Sequence, residues 1–387
     1  INSFHKLIYR DVENHVEKQT ILDHIEKQAR VQQAHSMIGS RTGKQRGQMA
    51  WRKIISDVDD TLTCSGGSWP AGLDTSYPRK VLYPGVLAFY RELDLGTGGK
   101  EEWDPLTQVG NLVFLSARPH VYKEVSEAHS YAKFRDLQEK RGLYTNPTLL
   151  AGSLATGGNF MFGKTSEPLA EKKFENFKEY QALYPEFSYI LLGDNGQGDV
   201  RTSEMIMTEE SLRNHLLRTY IHQVQPLQKT HTVNRETRQK TNRNICYFKT
   251  YIEAAVDAHK HKLIRLSGLR KIMCEAIKDF RSIGDESWKA ADELPLTVTT
   301  QVKAEKGTSS EGENDKKSKQ LTLSAKRAKA SIIPVYNPEL KVDARMRELN
   351  LALYQGNIVL AEGNIEPVPL MRFKRRFMNG GVVKTAF

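Results

Sequence analysis

An α/β fold built on a mostly parallel, doubly wound sheet is the architecture this sequence predicts, and three observations predict it. Between Ile54 and Ile221, short apolar runs alternate with segments of helical periodicity, the order of strands joined by crossover helices. The runs "KIIS", "NLVFLS", "PTLLAG", "FSYILLG" and "LLRTYIHQV" are the candidate strands, and such runs suit a parallel sheet covered by helices on both faces. Three of them lead into acidic or hydroxyl-bearing segments, "IISDVDDTL", "VFLSARP" and "ILLGDNGQGD", and ligands of open α/β sheets bind at the carboxyl ends of strands.

In chain order, residues 1–50 form an N-terminal extension. Val12, Val16, Leu22, Ile25 and Ala29 recur at helical spacing with no Gly or Pro between them, so residues 8–37 are predicted helical. A basic, glycine-punctuated loop around "GSRTGKQRGQMAWRK" then leads into the core, residues 51–225. Within the core, "YPGVLAFYREL", "HVYKEVSEAHSYAKFRDLQEKRG" and "LAEKKFENFKEYQALYP" read as helices between the strands. Residues 226–295 read as a helical extension, with two helices over 243–283 broken near Ser267-Gly268. Residues 296–331 are polar and poor in aromatic residues, which predicts a disordered linker. Residues 332–387 carry "LNLALYQGNIVL" and end in the basic "MRFKRRF"; they are read as a basic C-terminal tail, a small appended element or a docking segment for protein partners.

Composition narrows the classes. With 387 residues, 39% hydrophobic and 27% charged, the chain can bury a sizeable core, and it holds no apolar run long enough to span a membrane. Cys64, Cys246 and Cys274 are too few and scattered for a disulfide framework, so reduced thiols and a cytoplasmic setting are expected. The net charge of +11 favours anionic partners. Nucleic acid is not expected among them, because no recognisable binding module is present and aromatic residues are not interleaved with the basic runs. The chain begins at Ile1 rather than Met, so residues ahead of it, with any targeting segment, are expected to be missing.

The chemistry concentrates in "RKIISDVDDTLTCSGG", residues 52–67. Asp57, Asp59 and Asp60 repel one another, and a cation, a proton or both make such a cluster tolerable. If the strands are parallel, one edge of the sheet collects Asp57, Asp59, Thr61, Ser116, Arg118, Asp194 and Asp199. Carboxylates from separate strand ends make a hard-oxygen site suited to Mg²⁺, with coordination positions left for phosphate. An EF-hand reading fails because the required Gly and terminal Glu do not follow. Asp60 is expected to orient the loop rather than react, "HKHK" at 259–262 to be a solvated helix face, and Cys64 to be a small buried residue.

DxDxT after a strand, Ser at the next strand end, a lysine, then GDxxxxD resembles the haloacid dehalogenase superfamily of phosphotransferases. "SDVDDTL", "YPGVLAFYREL", "FLSARPHVY", "GDNGQGD" and "YFKTYIEAAVDAH" resemble one branch of it, the actin-patch type of Mg²⁺-dependent phosphatidate phosphatase catalytic domain, over about residues 50–275. The resemblance implies Asp57 as nucleophile, Asp59 as general acid and base, and Thr61 and Ser116 as hydroxyl donors to phosphate. It implies Mg²⁺ held by Asp57, Asp59 (through its carbonyl) and Asp194, with Asp199 close by. Lys173 is the lysine best placed to complete the site, Lys172 and Lys164 are the alternatives, and Arg118 is a candidate bidentate phosphate ligand or, equally, a structural ion-pair partner. It also implies a minimal cap, because the segment from Thr63 to Gly85 is short and loop-like; an open site suits a large phosphomonoester lipid. The expected function is hydrolysis of phosphatidate to diacylglycerol and phosphate at an anionic membrane surface, by a peripherally bound protein. The rivals are the same chemistry on a phosphoprotein or soluble phosphomonoester, and a non-catalytic phospholipid-binding scaffold.

Overall fold

The computed structural model describes residues 4–41, 51–67, 72–98, 111–116, 132, 134–139, 142–143, 147–151, 166–232, 242–284, 287–288 and 338–372. Six strands make one sheet: β1 (Arg52–Ser56), β2 (Leu112–Ser116), β3 (Thr148–Ala151), β4 (Ser188–Asp194), β5 (Leu216–His222) and β6 (Ile245–Phe248). Their spatial order is β3-β2-β1-β4-β5-β6 and every pairing is parallel. The order reverses at β1, so β1 and β4 lie side by side at the topological switch point, where this class of sheet opens a crevice at its carboxyl edge.

Both faces are covered, and each strand divides its side chains between two cores. Ile54, Phe114, Ile190 and Leu192 enter one core. Ile55, Val113, Leu115, Tyr189 and Leu191 enter the other. That period of two, apolar at both phases, is why the strands read as unbroken apolar runs. Among the helices are α1 (Phe4–Lys6), α2 (His15–Arg41), α3 (Val86–Leu95), α4 (Glu167–Leu183), α5 (Asp199–Thr208), α6 (Tyr251–Lys260), α7 (Leu266–Ser282) and α8 (Pro338–Glu362), with a single helical turn at Glu210–Arg213 after α5. Helices α3, α6, α7 and α8 build the first core, while α4 and α5 cover the second face.

Four features differ from the sequence reading. The N-terminal helix is interrupted: a π-turn over Leu7–Asp11 ends at Val12, and Asn14 caps α2 by accepting hydrogen bonds from Val16 N (2.9 Å) and Glu17 N (3.4 Å). Residues 245–248, read as helix, are the edge strand β6; Thr250 then caps α6 by accepting from Glu253 N. The break between α6 and α7 falls before Leu266 rather than at Ser267-Gly268, with Lys262 in the left-handed region at φ 56°. Finally, the segment read as a tail contributes α8, whose Leu349, Ala352, Leu353 and Leu360 are buried against α6 and α7. The linker at 296–331 and the basic loop at 42–50 lie outside the described residues. Among the described residues, no helix is long and apolar enough to cross a membrane.

Candidate active site

The first motif leaves the sheet without leaving its neighbour. Asp57 N donates to Leu192 O of β4 at 2.9 Å, extending the ladder one residue past Ser56 and fixing a buried Asp57 beside β4. The chain then turns sharply, with Leu62 N and Thr63 N both donating to Val58 O. Asp60 sits at φ 55°, where a short polar side chain is better tolerated than a branched one. Its carboxylate accepts from Ser65 N (2.8 Å), Leu73 N (2.6 Å) and Asp74 N (2.9 Å), and its carbonyl accepts from His222 Nδ1 at 2.7 Å. Asp60 therefore ties the loop to β5 through bonds that leave its carboxylate occupied. Cys64 is a buried thiol whose titration burial pushes up to about 12.

The second acidic motif needs its glycines. A methyl at Gly193 would lie 2.4 Å from Asp199 Cγ, so only glycine lets Asp199 fold back against β4. Gly198, at φ 91°, makes the turn that starts α5 with Asp199 in its first position. The result brings Asp57, Asp194 and Asp199 together, with one carboxylate oxygen from each within 4.8 Å of the others. Lys173, on α4 and 1% exposed, reaches in with Nζ 2.5 Å from Asp199 Oδ1 and 3.4 Å from Asp57 Oδ2.

Were all three buried carboxylates ionised, the one ammonium facing them would leave an excess of two negative charges, and the pocket resists that state. Burial pushes Asp57 above the usual carboxylate range; Lys173 opposes this, and Asp199 and Asp59 add to it. Asp194 is raised well above that range by burial and then by Asp199 and Asp57. For Lys173, burial opposes the charge, yet Asp199, Asp57 and Asp194 outweigh it and hold the lysine above its ordinary value. Asp194 Oδ1 accepts from Gly196 N at 2.5 Å, whereas Asp57 Oδ2 and Asp194 Oδ2 are buried without a hydrogen bond among the described residues. Two buried carboxylate oxygens without hydrogen bonds among the described residues, in an oxygen-only donor set, fit a hard divalent cation. Thr61 Oγ1 is likewise buried without a hydrogen bond among the described residues.

Of the other expected site residues, Asp59 is half-buried, with a backbone bridge to Thr63. Lys172 pairs with Glu175 at 3.0 Å instead of entering the site. Ser116 ends β2, the neighbour of β1. Arg118 and Lys164 lie outside the described residues. Sequence reasoning missed Asn195, although it stands inside "GDNGQGD". Asn195 Oδ1 accepts from Val224 N (2.9 Å) and Gln225 N (3.1 Å), and Nδ2 donates to Gln225 O (2.8 Å) and Thr230 Oγ1 (3.0 Å). It pins the loop after β5 that walls a groove of about 640 Å³, lined in part by Leu73, Val224, Gln228, Lys249 and Lys341. The groove adjoins the acidic pocket, since Leu73 and Val224 close on Gly196, two residues past Asp194.

Residues 52–223 match the family model described as phosphatidate phosphatase APP1, catalytic domain. No curated protein and no solved structure matches the chain. The match spans β1 to β5 and contains Asp57, Lys173, Asp194 and Asp199; it leaves out α2, β6 and α6 to α8. The all-parallel sheet and the order of acidic strand ends agree with a haloacid-dehalogenase-like fold. Over residues 52–223 the chain is thus similar to the phosphatidate phosphatase APP1 catalytic domain, and by that match it is a phosphatase.

Proposed function

We propose that the chain is a Mg²⁺-dependent phosphatidate phosphatase that hydrolyses phosphatidate to diacylglycerol and phosphate through an aspartyl-phosphate on Asp57. The observation that carries this reading is the buried pocket of Asp57, Asp194 and Asp199 around Lys173, with Asp57 Oδ2 and Asp194 Oδ2 lacking hydrogen bonds among the described residues. Asp57, Asp194 and the Asp59 carbonyl would hold Mg²⁺, with Asp199 beside them. When bound there, the ion supplies positive charge to the phosphoryl oxygens and keeps the carboxylates ionised.

Asp57 attacks phosphorus in line, which splits one difficult displacement into two easier ones. Asp59 gives its proton to the departing glycerol oxygen, then takes one from the water that cleaves the acyl phosphate at phosphorus. Lys173 keeps Asp57 and Asp199 oriented and adds positive charge, while Thr61 and Ser116 supply hydroxyl contacts to the phosphoryl oxygens. The protein works in the cytoplasm, bound peripherally to an anionic membrane.

One observation favours a second reading, the same chemistry on a soluble phosphomonoester or phosphoprotein: polar residues such as Gln225, Gln228, Lys249 and Lys341 contribute to the groove beside the pocket. Phosphate release from phosphatidate in mixed micelles, with Mg²⁺ and with chelator, beside a soluble aryl phosphate and the Asp57→Asn protein, separates the two. Mg²⁺-dependent release from the lipid, lost in the variant, is expected. Turnover of the aryl phosphate without the lipid would discard the lipid substrate.

A further inference from the structure

The loop that carries Asp57, Asp59 and Thr61 is gripped through its backbone by side chains from other elements. His222 Nδ1 lies 2.7 Å from Asp60 O, and a carbonyl can only accept, so Nδ1 carries the hydrogen. The Tyr251 hydroxyl donates to Thr61 O at 2.7 Å. Two consecutive carbonyls thus each have a dedicated side-chain donor, and both donors are buried. Buried carbonyls are paired in any stable fold, so these bonds alone say only that the loop is ordered. What sets them apart is what else the two donors hold.

His222 joins the two acidic motifs. By its backbone, at the end of β5, it is the ladder partner of Asp194, and its carbonyl accepts from Asn195 N at 3.1 Å. By its side chain it holds Asp60 in the first motif. One residue therefore fixes the separation between the loop of Asp57 and Asp59 and the strand end of Asp194, which a cation shared by the two must match. The imidazole is itself held in place. Tyr83 meets it edge-on at 4.4 Å, and Phe248, its ladder partner in β6, stacks on it at 5.3 Å and 25°.

Tyr251 grips Thr61 in the same manner. It opens α6 directly after the Thr250 cap, and its ring packs on Phe248 at 4.9 Å and on Phe89 at 5.6 Å. Thr61 is thereby fixed by its carbonyl, while its Oγ1, buried with no hydrogen bond among the described residues, is available to a phosphoryl oxygen.

We propose that His222 and Tyr251 are positioning residues of the phosphoryl-transfer site: His222 sets the span between the two acidic motifs across which a divalent cation is held, and Tyr251 aims Thr61. Phe248 and Tyr251 belong to β6 and α6, so the working catalytic unit extends past residue 223, where the family match ends. This assignment rests on the pocket being a Mg²⁺-dependent phosphoryl-transfer site, so cation binding has to be read apart from turnover.

The test is Mg²⁺ titration calorimetry on the full chain without substrate, beside kcat and KM for an aryl phosphate at saturating Mg²⁺. Tyr251→Phe removes one oxygen and keeps the ring. His222→Phe keeps an aromatic ring and removes the donor, whereas His222→Asn gives up the ring and returns an N–H near the place of Nδ1. His222→Phe should weaken Mg²⁺ binding and lower kcat by about ten- to hundredfold, the usual effect of losing a partner behind the ligands. Tyr251→Phe should lower kcat by about tenfold with KM and Mg²⁺ affinity within about threefold of the parent. His222→Asn should recover most of the Mg²⁺ affinity that His222→Phe loses. A histidine that only filled its aromatic surroundings would make His222→Phe the milder change, so affinity kept by His222→Phe and lost in His222→Asn would overturn the proposal. So would Tyr251→Phe with parental kcat. Mg²⁺ affinities in the expected order, in a protein that hydrolyses no phosphomonoester, would keep the role of His222 and remove the reaction. Mg²⁺-dependent turnover in the parent, with neither affinity nor kcat altered in the variants, would keep the reaction and remove the proposal.

Discussion

Lys173→Met tests the centre of the site most directly, because among the described residues the lysine is the one cation placed between the three buried carboxylates. Methionine fills nearly the same volume but removes the ammonium that lies 2.5 Å from Asp199 and 3.4 Å from Asp57, so every ionised carboxylate in the pocket loses its positive partner. Lys173 is 1% exposed and its partners are buried, so solvent cannot take over the screening. Removing one partner of a buried ion pair costs about 3–5 kcal/mol, since the other charge is left uncompensated. At about 2–4 °C per kcal/mol for a protein of this size, the thermal midpoint in chelator should fall by about 6–20 °C. Saturating Mg²⁺ should raise the midpoint of the variant by more than that of the parent, because the more negative pocket gains more from a cation. Turnover should fall by about 10²-fold or more, as for loss of a charged group aimed at the transferring phosphoryl. Scanning calorimetry with and without Mg²⁺ reads both effects. A variant as stable as the parent in chelator, with turnover within threefold, would refute the account of Lys173 as the neutralising cation.

Three further outcomes are expected. In chelator, stability should decline as pH rises. Asp57 and Asp194 titrate higher folded than unfolded, so their contribution is complete below the ordinary carboxylate range near pH 4 and is lost as pH climbs through the folded values. Denaturant midpoints near pH 5 should exceed those near pH 7.5, and Mg²⁺ should narrow the gap; an equal or reversed gap in chelator would contradict the raised carboxylates. Asn195→Ala should cost about 1–3 kcal/mol and raise KM more than it lowers kcat, because it frees the 224–225 loop without touching the acidic pocket. Leu353→Ala should cost about 2–5 kcal/mol in denaturant titration, whereas a value below about 1 kcal/mol would mean that α8 is not part of the cooperative core.

The five strands from β1 to β5 were legible because each is a run buried on both sides, and the residues at their ends were legible because phosphoryl chemistry demands carboxylates there. Strand β6 was not, since "ICYF" is four residues long and an apolar run that short before a helix carries no period of its own. Helix α8 was obscured for a different reason. Its apolar residues face two ways, so no single amphipathic stripe announces it, and α6 and α7 are remote in sequence. Lys173 and Lys172 differ by one position, about 100° around a helix, and only the packing of α4 says which of them enters the pocket. Asn195 and His222 escaped notice because they act on backbone groups of other segments, and those partners exist only once the sheet has formed.

Helix α8 completes a core whose other members end at Trp288, and residues 289–337 separate the two in sequence. A helix so remote in sequence from the core it completes is held there by its packing against α6 and α7. Cleavage within 289–337 should therefore leave the two pieces associated, and a separate peptide covering α8 should complement a truncated chain. By the same packing, α8 of one molecule can fill the place left by that of another, so refolding at high protein concentration should yield exchanged dimers in which the groove beside each acidic pocket is walled by the neighbour's helix.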